Sequence, residues 1–153
     1  MKYTDAKVTF AEVPDEIALC INISNCPCHC VGCHSSYLAE DIGEPLDEDV
    51  LAKLIDDNEG ITCVAFMGGD AEPNIILELA RFIRAIYTRI KVAWYSGRDK
   101  LPNIIEDEID MFDFIKLGPY IEELGPLNET TTNQRFYKVV EDKLVDITHK
   151  FWR

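Results

Sequence analysis

The side chains with the most chemistry in this chain lie together, in Cys26-Pro27-Cys28-His29-Cys30-Val31-Gly32-Cys33-His34. Four of the six cysteines fall within the eight positions 26–33, accompanied by His29 and His34. A thiol's reactivity, rather than its volume, usually decides where it is placed. Three thiolates on one short loop, spaced as Cys26, Cys30 and Cys33, can hold three corners of a cubic [4Fe–4S] cluster. The fourth iron is then open to an outside ligand, whereas a fully ligated cluster takes four cysteines. Two other ligand sets draw on the same stretch. Cys28 would close the cluster as a fourth thiolate, or His29 or His34 would join thiolates around zinc. Against the closed cluster, Cys26, Cys28 and Cys30 at spacing two crowd one face of an extended segment. Against zinc, structural sites usually pair two knuckles across a longer spacer, and no second knuckle is visible.

Composition narrows the partners. The 153 residues carry a formal charge of −13, which argues against nucleic acid or an anionic membrane as the main partner. The acidity serves solubility or a complementary basic partner. Residues 1–7 hold no apolar run of the signal-peptide kind. No segment approaches the roughly 20 apolar residues of a membrane span. A cytoplasmic protein is expected, and in a reducing compartment six cysteines point to metal or catalysis rather than disulfides.

The elements that must position the cysteines are read from periodicity. One domain over 1–153 is expected, since this length suffices for a sizeable core. Strands are predicted over 8–13 and 17–23, the second apolar enough to be largely buried, so the cysteine stretch leaves the C-terminal end of a buried strand. A helix is predicted over 46–55, with its acids in the first turn and Asn58 and Gly60 ending it. The short apolar run 61–67 has the character of a parallel strand covered on both sides. Pro73 opens a helix with apolar residues at 75, 76, 79, 82, 83 and 86. Strands over 91–95 and 112–117 flank a short helix near 104–106. Segment 121–134 is polar and irregular, and 135–148 has the pattern of a closing hairpin.

This alternation of strand and helix predicts an α/β fold with a mainly parallel sheet. A full eightfold barrel takes about 250 residues, so a curved, partial TIM-like barrel is expected. The C-terminal ends of its strands would then gather Cys26 to Cys33, Gly68-Gly69-Asp70, Tyr95-Ser96-Gly97 and Gly118-Pro119 on one rim, where sites of such folds lie. Glycines at 68 and 69 permit close approach of a ligand to the backbone, and Asp70 can accept hydrogen bonds from an ammonium group. A tight strand-to-helix turn explains the glycine pair as well. Cys20 and Cys63, on apolar strands, are read as small buried hydrophobes.

With Cys26-x3-Cys30-x2-Cys33, Gly68-Gly69-Asp70, Trp94-Tyr95-Ser96-Gly97 and Thr132-Asn133-Gln134-Arg135, the chain resembles the radical S-adenosylmethionine (SAM) enzymes. Within them it resembles most closely the activating proteins of anaerobic (class III) ribonucleotide reductases, over most of its length. The resemblance implies that Cys26, Cys30 and Cys33 ligate a [4Fe–4S] cluster whose unique iron is chelated by SAM. It implies contacts to SAM from Gly68, Gly69, Asp70 and Ser96, with Lys116 balancing the SAM carboxylate or standing solvated. It departs from the wider superfamily in having Asp70 where Glu is usual and Gly32 where an aromatic often packs on adenine. The adenine contacts are therefore unassigned. Where relatives often carry Asp-Gly, this chain has Lys116-Leu117-Gly118.

The activity so implied is formation of a glycyl radical on anaerobic ribonucleoside-triphosphate reductase, with an external one-electron reductant such as flavodoxin. Activation of another glycyl-radical enzyme such as pyruvate formate-lyase, a non-catalytic iron–sulfur electron carrier, and a zinc-stabilised interaction module are the rivals. The polar segment 125–135 is the candidate docking edge for the reductase, or an ordinary surface loop.

Overall fold

The computed structural model describes residues 1–30, 32, 33 and 35–152. Its architecture follows from side-chain alternation along four adjacent strands, β2 (Ala18–Ile23), β4 (Cys63–Met67), β5 (Lys91–Tyr95) and β6 (Phe114–Leu117). Successive residues of a strand face opposite sides of its sheet. One side carries Leu19, Ile21, Ile23, Val64, Phe66, Val92, Trp94 and Ile115, packed under the helices. The other carries Ala18, Cys20, Cys63, Ala65, Ala93 and Phe114, covered by Val13 and Phe136. The large residues on the first side bury the helices. The small ones on the second leave room above the sheet. Continuous apolarity in 61–67 thus reflects burial on both faces, but helices supply only one of the two covers.

The helices are those the periodicity predicts. In α1 (Glu48–Asp56), Asp47 caps the N-terminus by accepting from the Val50 amide at 2.9 Å, with Glu48 and Asp49 in the first turn. In α2 (Pro73–Ile86), Pro73 occupies the first turn, and Ile76, Leu77, Ala80 and Ile83 are fully buried. The short α3 (Asn103–Glu106) buries Ile105. Among the described residues, no helix is long and apolar enough to cross a membrane.

The expected curved, mainly parallel partial barrel is not what forms. With β1 (Lys2–Thr9), β3 (Glu44–Pro45), β7 (Arg135–Val140) and β8 (Lys143–Asp146), the eight strands among the described residues make one mixed sheet, in the order β3-β1-β2-β4-β5-β6-β7-β8. Four of its seven pairings are antiparallel and three are parallel. The reason lies in the connections. Parallel neighbours need a crossover of a dozen residues or more, usually helical, and β2 to β4, β4 to β5 and β5 to β6 have one with a helix in it, whereas segment 118–134 carries no helix and returns β7 antiparallel to β6. At one side β1 (Lys2–Thr9) turns back through 10–17 to pair antiparallel with β2, and the two-residue β3 (Glu44–Pro45) adds to its outer edge. At the other side β7 (Arg135–Val140) and β8 (Lys143–Asp146) form the predicted hairpin. They are joined by Glu141 and Asp142, both at positive φ, as a tight hairpin turn demands. The first strand is also displaced from its predicted place. Residues 2–9 pair while 10–16 bend, so that Val13 drops into the inner cluster and the Tyr95 hydroxyl donates to the Glu12 carbonyl.

Trp94 joins the helix side to the rim. It is fully buried, packs against Phe112 with ring centroids 6.2 Å apart, and donates its indole N–H to the Gly68 carbonyl at 2.7 Å. Trp94→Ala should therefore lower the unfolding free energy by about 3–5 kcal/mol, the range for emptying a buried aromatic site. Urea denaturation of the metal-free protein measures it, and a loss well below that range would show that Trp94 is not the packing centre of the outer face.

Candidate metal centre

The cysteine loop leaves the end of β2 and is closed at its base by main-chain hydrogen bonds. The Asn25 amide donates to the Glu40 carbonyl at 2.9 Å, and the Cys26 amide to the Leu38 carbonyl at 2.8 Å. The Ser24 hydroxyl adds a bond to the Ile42 carbonyl at 2.6 Å. Within this closed neck the backbone turns sharply, with positive φ at Asn25, His29 and Gly32. All four thiols of the loop are free and half-buried. They line a cavity of about 510 Å³ on the inner side of the sheet. His29 is exposed and is not part of that lining, and His34 lies outside the described residues. Among the described residues, no three His, Cys, Asp or Glu side chains gather about one point as a mononuclear metal site requires.

Cys28 differs from its neighbours. Its thiol donates to Asp70 Oδ2 at 3.6 Å and lies against Gly97, where an added Cβ would stand 2.8 Å from Sγ. Burial, then the negative charge of Asp70, pushes its pKa up to about 12. The thiol thus serves as a hydrogen-bond donor to the Asp70 carboxylate.

Asp70 is the hub. It is 8% exposed, with Oδ1 accepting from the Ser96 hydroxyl at 2.6 Å and Oδ2 accepting from the Gly97 amide at 2.9 Å as well as from Cys28. It thereby ties the loops after β2, β4 and β5 to one another. Ser96 in turn accepts from the Arg98 amide at 3.1 Å. Lys116, also 8% exposed, donates to the carbonyls of Ser96 at 3.1 Å and Gly118 at 2.7 Å. Burial lowers its pKa to about 8, against the opposing pull of Asp70, Cys30, Cys28 and Cys33. A lysine ammonium has three donors, so one remains beyond these two carbonyls.

The sequence-predicted residues thus converge with one exception. Cys26, Cys30, Cys33, Gly68, Asp70, Ser96 and Lys116 all line the cavity. Gly69 does not. Its φ is +92°, and a Cβ there would meet Ile76 Cδ1 at 2.6 Å, so its glycine serves the turn and the packing of α2. The Gly68 carbonyl already accepts the Trp94 indole. Sequence reasoning missed the Cys28–Asp70 contact, which no spacing rule announces. It also missed the far wall of the cavity, where Leu127 and Phe151 come from the segments around the closing hairpin. Nor is segment 125–135 an open loop throughout. Thr132 and Gln134 are buried, and the Trp152 indole donates to the Leu127 carbonyl at 3.0 Å.

The donor set suits an iron–sulfur cluster: soft thiols concentrated on one loop, half-buried, beside a buried cation. A family model described as "4Fe-4S single cluster domain" matches residues 17–139. The chain belongs to this family. No curated protein and no solved structure matches it. In this 4Fe-4S single cluster domain the match begins at the entry to β2 and ends within β7, taking in the cysteine loop and every strand end that lines the cavity. The family assigns iron–sulfur chemistry in place of zinc. Cys20 and Cys63 are buried on the inner face, and burial raises both thiol pKa values, Cys20 to about 11. The loop thiols are therefore the ones placed to serve the cluster.

Removing the hub should be costly in the metal-free protein. Asp70→Ala leaves the Ser96 hydroxyl and the Gly97 amide without their acceptor, and is expected to lower stability by about 1–3 kcal/mol in urea. Alkylation of Cys28 should accelerate at the same time. An unchanged alkylation rate would mean that Asp70 does not hold the thiol.

Proposed function

We propose that this domain activates an anaerobic ribonucleoside-triphosphate reductase, with S-adenosylmethionine as cosubstrate. The observation that carries this reading is the sharing of one cavity by the cysteine loop, Gly68, Asp70, Ser96 and Lys116, delivered by four adjacent strands. An electron carrier needs its cluster near the surface and has no use for a lined chamber of about 510 Å³ beside it. The resemblance of the cysteine spacing and of Thr132-Asn133-Gln134-Arg135 to the reductase activators supplies the choice of partner.

In this reading Cys26, Cys30 and Cys33 hold the cluster, and Cys28 stays with Asp70. A cluster held by these three thiolates and reduced by an external one-electron donor such as flavodoxin would supply the electron for reductive cleavage of S-adenosylmethionine to methionine and a 5′-deoxyadenosyl radical, which would take a hydrogen atom from a glycine of the reductase. The chain's own residues orient and shield. Lys116 offers its remaining donor and its charge to the cosubstrate carboxylate. Asp70 keeps the loops after β2, β4 and β5 in fixed relation. Leu127 and Phe151 exclude water from the far side of the chamber. No nucleic acid or membrane takes part.

Two experiments test this. Alanine at Cys26, Cys30 or Cys33 should abolish cluster assembly on anaerobic reconstitution, while Cys28→Ala should keep iron and sulfide near wild-type content. Equal loss in all four variants would indicate a closed, four-thiolate cluster and remove the open iron. Mixing reduced protein, SAM and the cognate reductase should give a glycyl-radical EPR doublet centred on the reductase. Production of 5′-deoxyadenosine with no such doublet would exclude the reductase as substrate.

A further inference from the structure

We propose that Gln134 is the residue that pairs with the nucleobase of the cosubstrate, an assignment that rests on the SAM reading above. In the β6–β7 pairing Lys116 stands opposite Phe136. Alternation along the two segments puts Phe114, Lys116, Phe136 and Gln134 toward the inner side of the sheet. Phe114 and Phe136 belong to the inner cluster, and Lys116 and Gln134 line the cavity. Close approach fixes the position. A Cβ on Gly118 would stand 3.2 Å from Gln134 Cα, and Gly118 itself accepts from Lys116.

Gln134 is 6% exposed. Its main-chain amide donates to Thr132 Oγ1 at 3.0 Å, but its side-chain carboxamide has no hydrogen-bond partner among the described residues. Nor is that carboxamide sealed away. Among the described residues, the fully enclosed side-chain polar atom without a partner is Asn133 Oδ1, not an atom of Gln134. Buried amides in folded proteins are almost always paired. One that is unpaired, and that lines the chamber beside the cysteine loop, is suited to a ligand. A carboxamide offers an acceptor and donors in one plane. Adenine offers the complement, its exocyclic N–H beside a ring nitrogen acceptor, the pairing by which glutamine recognises adenine elsewhere. The apolar side chains of Leu127 and Phe151 on the same chamber suit the faces of a purine. This supplies the adenine contact that the sequence leaves unassigned, and it gives a role to the Thr132-Asn133-Gln134-Arg135 motif.

The test is calorimetric binding of 5′-methylthioadenosine, and of its analogue with hydrogen in place of the exocyclic amine, to the reconstituted protein. Wild type should favour the adenine nucleoside by about tenfold, the discrimination of one good bidentate pair. Gln134→Leu should bind both compounds equally, near the weaker value. Gln134→Glu retains shape and acceptor but cannot donate to the ring nitrogen, and should also lose affinity for the adenine nucleoside. The urea midpoint of each metal-free variant reports folding independently of binding. A folded Gln134→Leu that discriminates as wild type does overturns the assignment, as does a wild type with no preference. The SAM-dependent change in the EPR of the reduced cluster separates the two ideas. If that change persists while Gln134→Leu binds like wild type, the nucleobase assignment fails and the SAM reading stands. If SAM leaves the wild-type signal unchanged and neither nucleoside binds, both fail.

Discussion

A single buried carboxylate sets the geometry on which the site depends. Asp70 sits at the mouth of the central strands with no basic side chain bonded to it among the described residues. It is satisfied instead by a hydroxyl, a main-chain amide and a thiol drawn from two other loops. Such a group is expensive to bury and more expensive to leave half-satisfied. The loops after β2, β4 and β5 are therefore held to a narrow set of relative positions, because separation of any one of them removes a donor from a charge that water reaches poorly. Fixing those three loops also fixes the cavity between them.

Charge balance inside the chamber follows the same logic. The protein as a whole is acidic, at −13, yet beside the carboxylate of Asp70 the cavity also buries a cation, Lys116, among the thiols. Cluster thiolates and a bound carboxylate would bring further negative charge into the chamber. An ammonium held by two carbonyls, with its pKa lowered mainly by burial, is positioned to offset it. The lysine is thus uncomfortable without the groups it faces, as side chains at functional sites often are.

Much of this was legible in the sequence, and what was not has physical causes. The cysteine spacing, the two amphipathic helices, the parallel strands 63–67 and 91–95 and the closing hairpin all follow local rules of period, cap and turn. The sheet's overall character did not. β1 is a polar segment, Lys2-Tyr3-Thr4-Asp5-Ala6-Lys7, whose pairing is set by its partner β2 rather than by its own alternation. Antiparallel flanks on both sides turned an expected partial barrel into an open mixed sheet. Gly69 enters the site reading through the Gly68-Gly69-Asp70 motif, and the sequence does not show that a Cβ there would meet Ile76 of α2. The Cys28–Asp70 contact spans 42 residues. Contacts of that separation carry no local pattern.

The neck of the cysteine loop separates two processes that many small metalloproteins join. The bonds from the Asn25 and Cys26 amides to the Glu40 and Leu38 carbonyls are main-chain bonds that use no thiol, and the hydrophobic core beneath them includes none of the loop cysteines. Zinc fingers, by contrast, fold only as they take up metal. Here the sheet and its helices can form first and keep the loop tethered at both ends while its interior is still empty. Assembly of the cofactor then becomes a late maturation step on a finished scaffold.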